Sequence, residues 1–217
     1  MMLQIDEITR LYHVYGTGSH DAQGVSHLQH ALQCAQLAEE AGSPKELVTA
    51  ALLHDLGSLL AAYAERLPVQ ADDGQQLVAV RFLHGLFPDA VLEPIRLHMD
   101  ARRYCAAVDH DYWAYMASDS RHRLELQGGP FSAEQARQFP SQPFAWDAIA
   151  VCRWNEMACN PFARPPAWSH FLPALRGVSL LLEDRVASEQ ADIRSSVAME
   201  RRFDSAIVPA RSPALCR

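Results

Sequence analysis

Residues 47–57, LVTAALLHDLG, form an apolar segment that places His54 and Asp55 side by side near its end. The spacing of its Leu, Val and Ala residues predicts a buried helix. An imidazole and a carboxylate are costly to bury together unless a partner compensates them. A bound metal ion compensates both, whereas a histidine that caps carbonyl groups beside a salt-bridged aspartate is the alternative without a metal. Any fold of this chain must therefore bring polar groups to this end of the helix.

The rest of the chain also has a helical pattern. Ser26 to Gln29 has the S-x-x-Q order of a capping box, and the helix that it opens is predicted to run to about Ala41, before Gly42. No segment alternates with period two for long enough to support a sheet, so the predicted fold class is all-α. Further helices are predicted at about 45–57, 75–86, 91–105, 112–117, 132–138, 144–158 and 168–186.

Composition and charge limit the classes of protein to which the chain can belong. With 217 residues, 49% of them hydrophobic, it has enough apolar surface for one sizeable core. We predict one domain over 1–190 and a frayed or disordered tail over 191–217, where charge is dense and prolines occur late. A net charge of −7 argues against a nucleic-acid partner. No apolar run reaches the length of a membrane span.

Five cysteines are scattered along the chain without a CxxC pair. This distribution is typical of reduced thiols, and it predicts a cytoplasmic protein without a disulfide framework. Cys34 and Cys105 lie on apolar helix faces and are interpreted as inert buried thiols.

His30 adds a second imidazole to the pattern around His54. The two histidines lie at nearly equal distances in sequence before and after the Gly42–Ser43 turn. If the two helices fold back antiparallel at this turn, both side chains lie at a similar depth and face each other.

With these residues in place, the sequence resembles the HD superfamily of all-α metalloenzymes, whose signature is His…His-Asp…Asp on packed helices. Residues 27–35 (HLQHALQCA), 94–104 (PIRLHMDARRY) and 126–130 (LQGGP) make it similar to the HD-domain mixed-valent diiron oxygenases that cleave organophosphonates, relatives of myo-inositol oxygenase. The similarity spans about 22–162. It implies a helical bundle with a buried metal site. It also implies an enzyme that uses O2 to cleave or hydroxylate a small anionic organic substrate such as an organophosphonate.

The same resemblance implies the metal ligands. One ion is expected to be held by His30, His54, Asp55 and Asp147, with Asp55 bridging to a second ion that His98 also binds. Asp55 and His98 are accordingly expected to be catalytic residues. Mixed imidazole and carboxylate ligation suits iron and also manganese, so we expect one or two Fe ions, with Mn as an alternative.

Four residues fall where the family binds its substrate. Arg102 stands in place of a lysine, one helical turn after His98 and therefore on the same side of the helix. Ser120 and Gln127 replace polar groups that line the pocket. Ser58 replaces a histidine that helps to bind the phosphonate. Without this side chain, which can be cationic, we expect the site to bind a dianion more weakly. We therefore expect a substrate other than the usual aminophosphonates.

The second site departs from the family pattern. Gln75 stands in place of the remaining histidine ligand, and a glutamine amide is a weak ligand for iron. Asp21 and Gln23 replace a Tyr–Glu pair that gates the open iron site, and His20 and His27 nearby are interpreted as surface histidines. Three functions follow: a divergent iron oxygenase, which we favour; a phosphohydrolase that uses one metal-activated water on a phosphoester; and a non-catalytic HD-fold binding protein.

Overall fold

A computed structural model of the protein describes residues 3–18, 24–63, 75–116, 118–181, 186 and 189–190. Within these ranges there is no β-strand, so the all-α prediction is confirmed. Gln23 and the predicted tail 191–217 lie outside the described residues. The described residues form α1 (Ile5–Tyr15), α2 (His27–Glu40), α3 (Lys45–Leu53), α4 (Leu56–Tyr63), α5 (Gln75–Leu83), α6 (Asp89–Arg96), α7 (His98–Val108), α8 (His110–Tyr115), α9 (Ser118–Leu126), α10 (Ala133–Gln138), α11 (Ala145–Met157) and α12 (Trp168–Val178).

The start of α2 follows the sequence prediction in part. Ser26 is the N-cap, and its side chain accepts a hydrogen bond from the Gln29 backbone N–H at 3.1 Å. The Gln29 side chain does not complete the capping box; its amide nitrogen donates to the carbonyls of Pro161 and Ala163 at 3.1 and 3.3 Å. Gln29 thereby joins the segment after α11 to the beginning of α2.

Two predicted helices are each divided in two, next to a histidine in both cases. The predicted helix 45–57 ends at Leu53, and α4 starts at Leu56, so His54 and Asp55 lie in the turn between α3 and α4. The predicted helix 91–105 is interrupted at Leu97, whose ψ of −1° departs from helical geometry, and α7 begins with His98. Both predicted continuous helices were therefore wrong at these positions.

Helix α11 occupies a central place in the bundle. It packs against α2, α3, α6 and α7. Its buried face is formed mainly by small side chains, which permits close approach of these neighbours: Ala145, Ala148, Ile149, Val151 and Cys152. Because His30 is on α2, His54 follows α3 and His98 begins α7, α11 closes the space among the three histidines. None of the helices in the described ranges is long and apolar enough to cross a membrane.

Candidate metal centre

Three buried histidines meet in the interior of the bundle. His30, His54 and His98 are only 3%, 5% and 8% exposed. The ring centroids of His30 and His54 are 5.4 Å apart, and those of His54 and His98 are 5.2 Å apart. The antiparallel packing of α2 and α3 therefore brings the first two histidines together, and the break before α7 adds the third.

Main-chain carbonyl groups orient two of these rings. His30 Nδ1 lies 2.9 Å from the carbonyl oxygen of Ala158, and His54 Nδ1 lies 2.8 Å from that of Ala51. A carbonyl oxygen only accepts hydrogen bonds, so each Nδ1 carries a proton and donates it. A neutral imidazole protonated at Nδ1 presents a lone pair at Nε2, which is the arrangement of metal-binding histidines.

Asn155 on α11 faces both lone pairs. Its Oδ1 is 3.2 Å from His30 Nε2 and 3.0 Å from His54 Nε2. Its Nδ2 donates to Glu156 Oε1 at 3.1 Å. A carboxylate only accepts, so this contact fixes the amide with its oxygen toward the histidines. Three atoms that carry lone pairs therefore converge on one point.

Protons alone do not satisfy this arrangement. Each ring lies between two acceptors, a backbone carbonyl and Asn155 Oδ1, but a neutral imidazole has one N–H. Giving both rings a second proton would bury two neighbouring imidazolium ions, which is costly. A cation bound by the two Nε2 atoms and Oδ1 satisfies every one of these contacts, so the residues fit a metal ion.

Cys34 lies beside the same point. Its Sγ is 3.6 Å from His30 Nε2, and ligand atoms of His30, Cys34 and His54 all lie within 4.8 Å of one another. The thiol is fully buried, as the sequence predicted, but it belongs to a group that can hold a metal. The interpretation of Cys34 as an inert thiol stays a prediction.

His98 is held as a neutral imidazole. Burial lowers its pKa well below the usual value, and the positive charge of Arg102 lowers it further against a smaller opposing effect of Asp55. Among the residues that the structure describes, its buried Nδ1 has no hydrogen-bond partner. A neutral imidazole has one nitrogen with a lone pair, which is available to a ligand.

Asp55 is fixed by two neighbours. Its Oδ2 lies 3.1 Å from His27 Nδ1, and its Oδ1 accepts a hydrogen bond from the Ser58 hydroxyl. His27 is half-buried and contacts Asp55. Its position three residues before His30 places both on one face of α2, which is the signal that sequence reasoning undervalued.

The structure does not bring Asp147 to the histidines. Asp147 is half-buried in the first turn of α11, where burial raises its pKa. Asn155 follows it by about two turns, which is about 12 Å along the helix axis. The α11 side chain that reaches His30 and His54 is therefore an amide and not the expected carboxylate.

Arg102 is paired within the protein. Its Nη2 donates to Glu156 Oε1 at 3.0 Å, and the Tyr112 hydroxyl donates to the same oxygen at 3.2 Å. Burial, Cys152 and Glu156 together raise the pKa of Tyr112, which keeps its hydroxyl protonated as a donor. Glu156 therefore links Arg102 to Asn155, and through Asn155 to the histidines.

The remaining predicted site residues are Ser120, Gln127 and Gln75. Ser120 is half-buried on α9, and Gln127 is exposed in the turn that follows. Gln75 begins α5, and the description does not include its side chain. Their roles stay predictions.

The turn after Gln127 is attached to α7. Arg103 donates from Nε to the Gly129 carbonyl at 2.8 Å and from Nη2 to the Gly128 carbonyl at 3.3 Å. Gly128 and Gly129 have φ values of +101° and +67°, which glycine adopts without strain. A Cβ at Gly128 would lie 3.1 Å from Arg103 Nη2. The GG pair thus permits the turn to lie next to the helix that carries His98 and Arg102.

Among known proteins with similar sequences are two phosphonate dioxygenases. The chain is 35% identical over 158 residues to hydroxymethylphosphonate dioxygenase of Gimesia maris, covering 70% of this chain and 78% of that protein. It is 31% identical over 153 residues to (1-hydroxy-2-(trimethylamino)ethyl)phosphonate dioxygenase (glycine-betaine-forming) of Leisingera caerulea, with the same two coverages of 70% and 78%. No family model matches the chain.

Proposed function

The chain belongs to the family of HD-domain phosphonate dioxygenases, and we propose that it is a metal-dependent oxygenase that uses O2 on a small anionic organic substrate such as an organophosphonate. The observation that carries the proposal is the convergence of His30 Nε2, His54 Nε2 and Asn155 Oδ1, which calls for a cation. The similarity to two phosphonate dioxygenases supports O2 as the second substrate.

The proposed metal is iron, with manganese as the alternative. The first ion is held by His30, His54 and Asp55. The second ion is held by Asp55 and His98. When bound, iron supplies the redox chemistry that activates O2. Asn155 takes the place in this set that the sequence assigned to Asp147.

The chain's own residues orient and protect this centre. The carbonyls of Ala158 and Ala51 fix the His30 and His54 rings, so their Nε2 atoms do not have to reorganise when a ligand binds. His27 and Ser58 hold the Asp55 carboxylate from both oxygens. Because α2, α3, α7 and α11 pack around the histidines, bulk water is excluded from them.

Substrate binding is proposed to involve Arg102, with Ser120 and Gln127 lining the pocket. Arg102 supplies positive charge one turn after His98, but Glu156 neutralises part of it. Ser58 is already engaged by Asp55. A site with this reduced positive charge favours a monoanion over a dianion, in agreement with the effect expected from the loss of a histidine at position 58.

An anion-binding experiment checks the role of Arg102. We expect small phosphonates or carboxylates to raise the melting temperature of the wild type, because ligands that bind the native state stabilise it by mass action. In Arg102→Ala this increase, measured from the variant's own baseline, is expected to disappear. Arg153→Ala, which removes an exposed arginine from α11, is the control and should keep the increase. An undiminished increase in Arg102→Ala contradicts the proposed binding role.

The second metal site gives another prediction. Gln75→His restores an imidazole where the family places a ligand, so we expect the metal-to-protein ratio of iron-replete protein to rise towards two. Gln76→His, one residue along α5 and about 100° around the helix, is the control. Elemental analysis that finds the same ratio in wild type and Gln75→His contradicts the prediction.

The reaction itself is tested by phosphate release. Cleavage of a carbon–phosphorus bond liberates inorganic phosphate, so iron-loaded protein is incubated with hydroxymethylphosphonate under air and under argon. We expect phosphate only when both iron and O2 are present. Phosphate released from a phosphoester with Mn2+ and without O2 would instead identify a hydrolase. Absence of turnover in both would identify a binding protein.

A further inference from the structure

Cys34 is the one cysteine in the described part of the chain that stands within the histidine group. It follows His30 by four residues, so both side chains lie on the same face of α2. The Cys34 side chain is fully buried. Its sulfur atom and the two imidazoles therefore face the same interior point.

The distance between sulfur and nitrogen matches that of two ligands on one ion. A thiolate sulfur at about 2.3 Å and an imidazole nitrogen at about 2.1 Å from a tetrahedral zinc ion lie about 3.6 Å apart. Cys34 Sγ and His30 Nε2 are 3.6 Å apart. The separations of Asn155 Oδ1 from the two Nε2 atoms, 3.2 and 3.0 Å, are a few tenths of an ångström shorter than this geometry requires.

The charge balance also favours a thiolate. Asn155 and both histidines are neutral ligands, so the Asp55 carboxylate is the one negative charge that the proposed function assigns to this ion. We propose that Cys34 also binds the metal, as a thiolate, beside His30 Nε2, His54 Nε2, Asn155 Oδ1 and the Asp55 carboxylate. This inference rests on the metal centre of the proposed function and adds a sulfur ligand to it.

Binding exchanges a proton for the metal. Without an ion, Cys34 is a thiol that keeps its proton, and its Sγ lies 3.6 Å from His30 Nε2. The metal takes the place of that proton, which is released to solvent, and a metal–sulfur bond replaces the S–H bond. A set of nitrogen, sulfur and oxygen ligands favours borderline-soft divalent ions such as Zn2+, Co2+ and Fe2+ over Mg2+.

Cobalt reports thiolate ligation directly, so the test is an anaerobic titration of metal-free full-length protein with Co2+, followed by absorption spectroscopy. We expect the wild type to develop the visible bands of bound Co2+ together with a near-ultraviolet sulfur-to-cobalt charge-transfer band. Cys34→Ser should lose the charge-transfer band and raise the apparent Kd for Co2+ at least about tenfold. Cys159→Ser removes an exposed thiol and should leave the spectrum unchanged. Cys34→Ala, checked for folding by circular dichroism, should behave like Cys34→Ser and guards against an effect of the buried hydroxyl.

The outcomes separate this inference from the proposed function. Bound Co2+ without a charge-transfer band in the wild type, or a band that persists in both Cys34 variants, overturns thiolate ligation. If either result accompanies O2-dependent phosphate release by the iron-loaded protein, the proposed function stands and only the sulfur ligand fails. A charge-transfer band without such phosphate release supports the sulfur ligand and contradicts the oxygenase. No binding of Co2+ at all overturns both the inference and the metal centre.

Discussion

Replacing His54 by alanine is expected to reduce the bound metal to less than about a tenth of the wild-type content. His54 Nε2 is one of the three lone-pair atoms that converge at the centre, and its ring is already oriented by the Ala51 carbonyl. Asp55→Ala should have a similar effect, because it removes the proposed bridging carboxylate. Elemental analysis of proteins purified side by side measures both.

The melting temperature of the same variants is expected to depend on whether they bind the metal. A ligand that binds the native state stabilises it, so added metal should raise the melting temperature of the wild type but not that of His54→Ala. The control is His84→Ala, which removes an exposed histidine after α5 and should retain the full metal content. Full metal occupancy in both His54→Ala and Asp55→Ala would mean that the histidine group is not the metal centre.

Glu156→Gln is expected to lower the free energy of unfolding by about 2–3 kcal/mol, because a partly buried arginine loses its charged partner. Glu156 Oε1 accepts hydrogen bonds from Arg102, Tyr112 and Asn155. This loss in the free energy of unfolding should not exceed the smallest losses typical of fully buried ion pairs, because the Glu156 side chain is 30% exposed. Urea denaturation measures it.

The matched control for this variant is Glu134→Gln. Glu134 pairs with Arg137 on the exposed surface of α10, so its loss should cost less than about 1 kcal/mol. Glu156→Gln should also weaken metal binding, because the carboxylate that orients the Asn155 amide is gone. Equal stability losses in the two variants would contradict the account of Glu156 as the residue that connects Arg102 to the centre.

Much of the helical fold could be predicted from local signals. Ser26 and Ser132 start α2 and α10 as N-caps, and Gly42 follows α2 with a φ of +70°. The breaks at His54–Asp55 and Leu97 could not be predicted, because the apolar pattern continues through them. Packing of both flanking helices against the bundle decides these positions, and it is not encoded in the local sequence.

The proximity of His30 and His54 could be predicted from their positions about the Gly42–Ser43 turn. Asn155 was missed because a neutral amide in a helix does not stand out in the sequence, whereas a single carboxylate in an apolar helix, such as Asp147, does. Cys34 had a signal, its i+4 spacing from His30, but thiols at such positions are usually core residues.

The pairing of Arg102 with Glu156 was also beyond the sequence. The two residues are 54 positions apart and meet only because α7 packs against α11. Because of this contact, the Arg102 guanidinium is already paired with a carboxylate, whereas the sequence had predicted that it would be available to bind an anionic substrate.

The central claim is that this metal centre inserts oxygen from O2 into an organic substrate. Turnover of hydroxymethylphosphonate by iron-loaded protein under isotopically labelled O2 gas, followed by mass spectrometry of the organic product, tests it most directly. The account predicts that label from O2 appears in the product of the wild type and that His54→Ala forms no labelled product. Product whose new oxygen comes only from water, or no product from fully iron-loaded wild type, would contradict the claim.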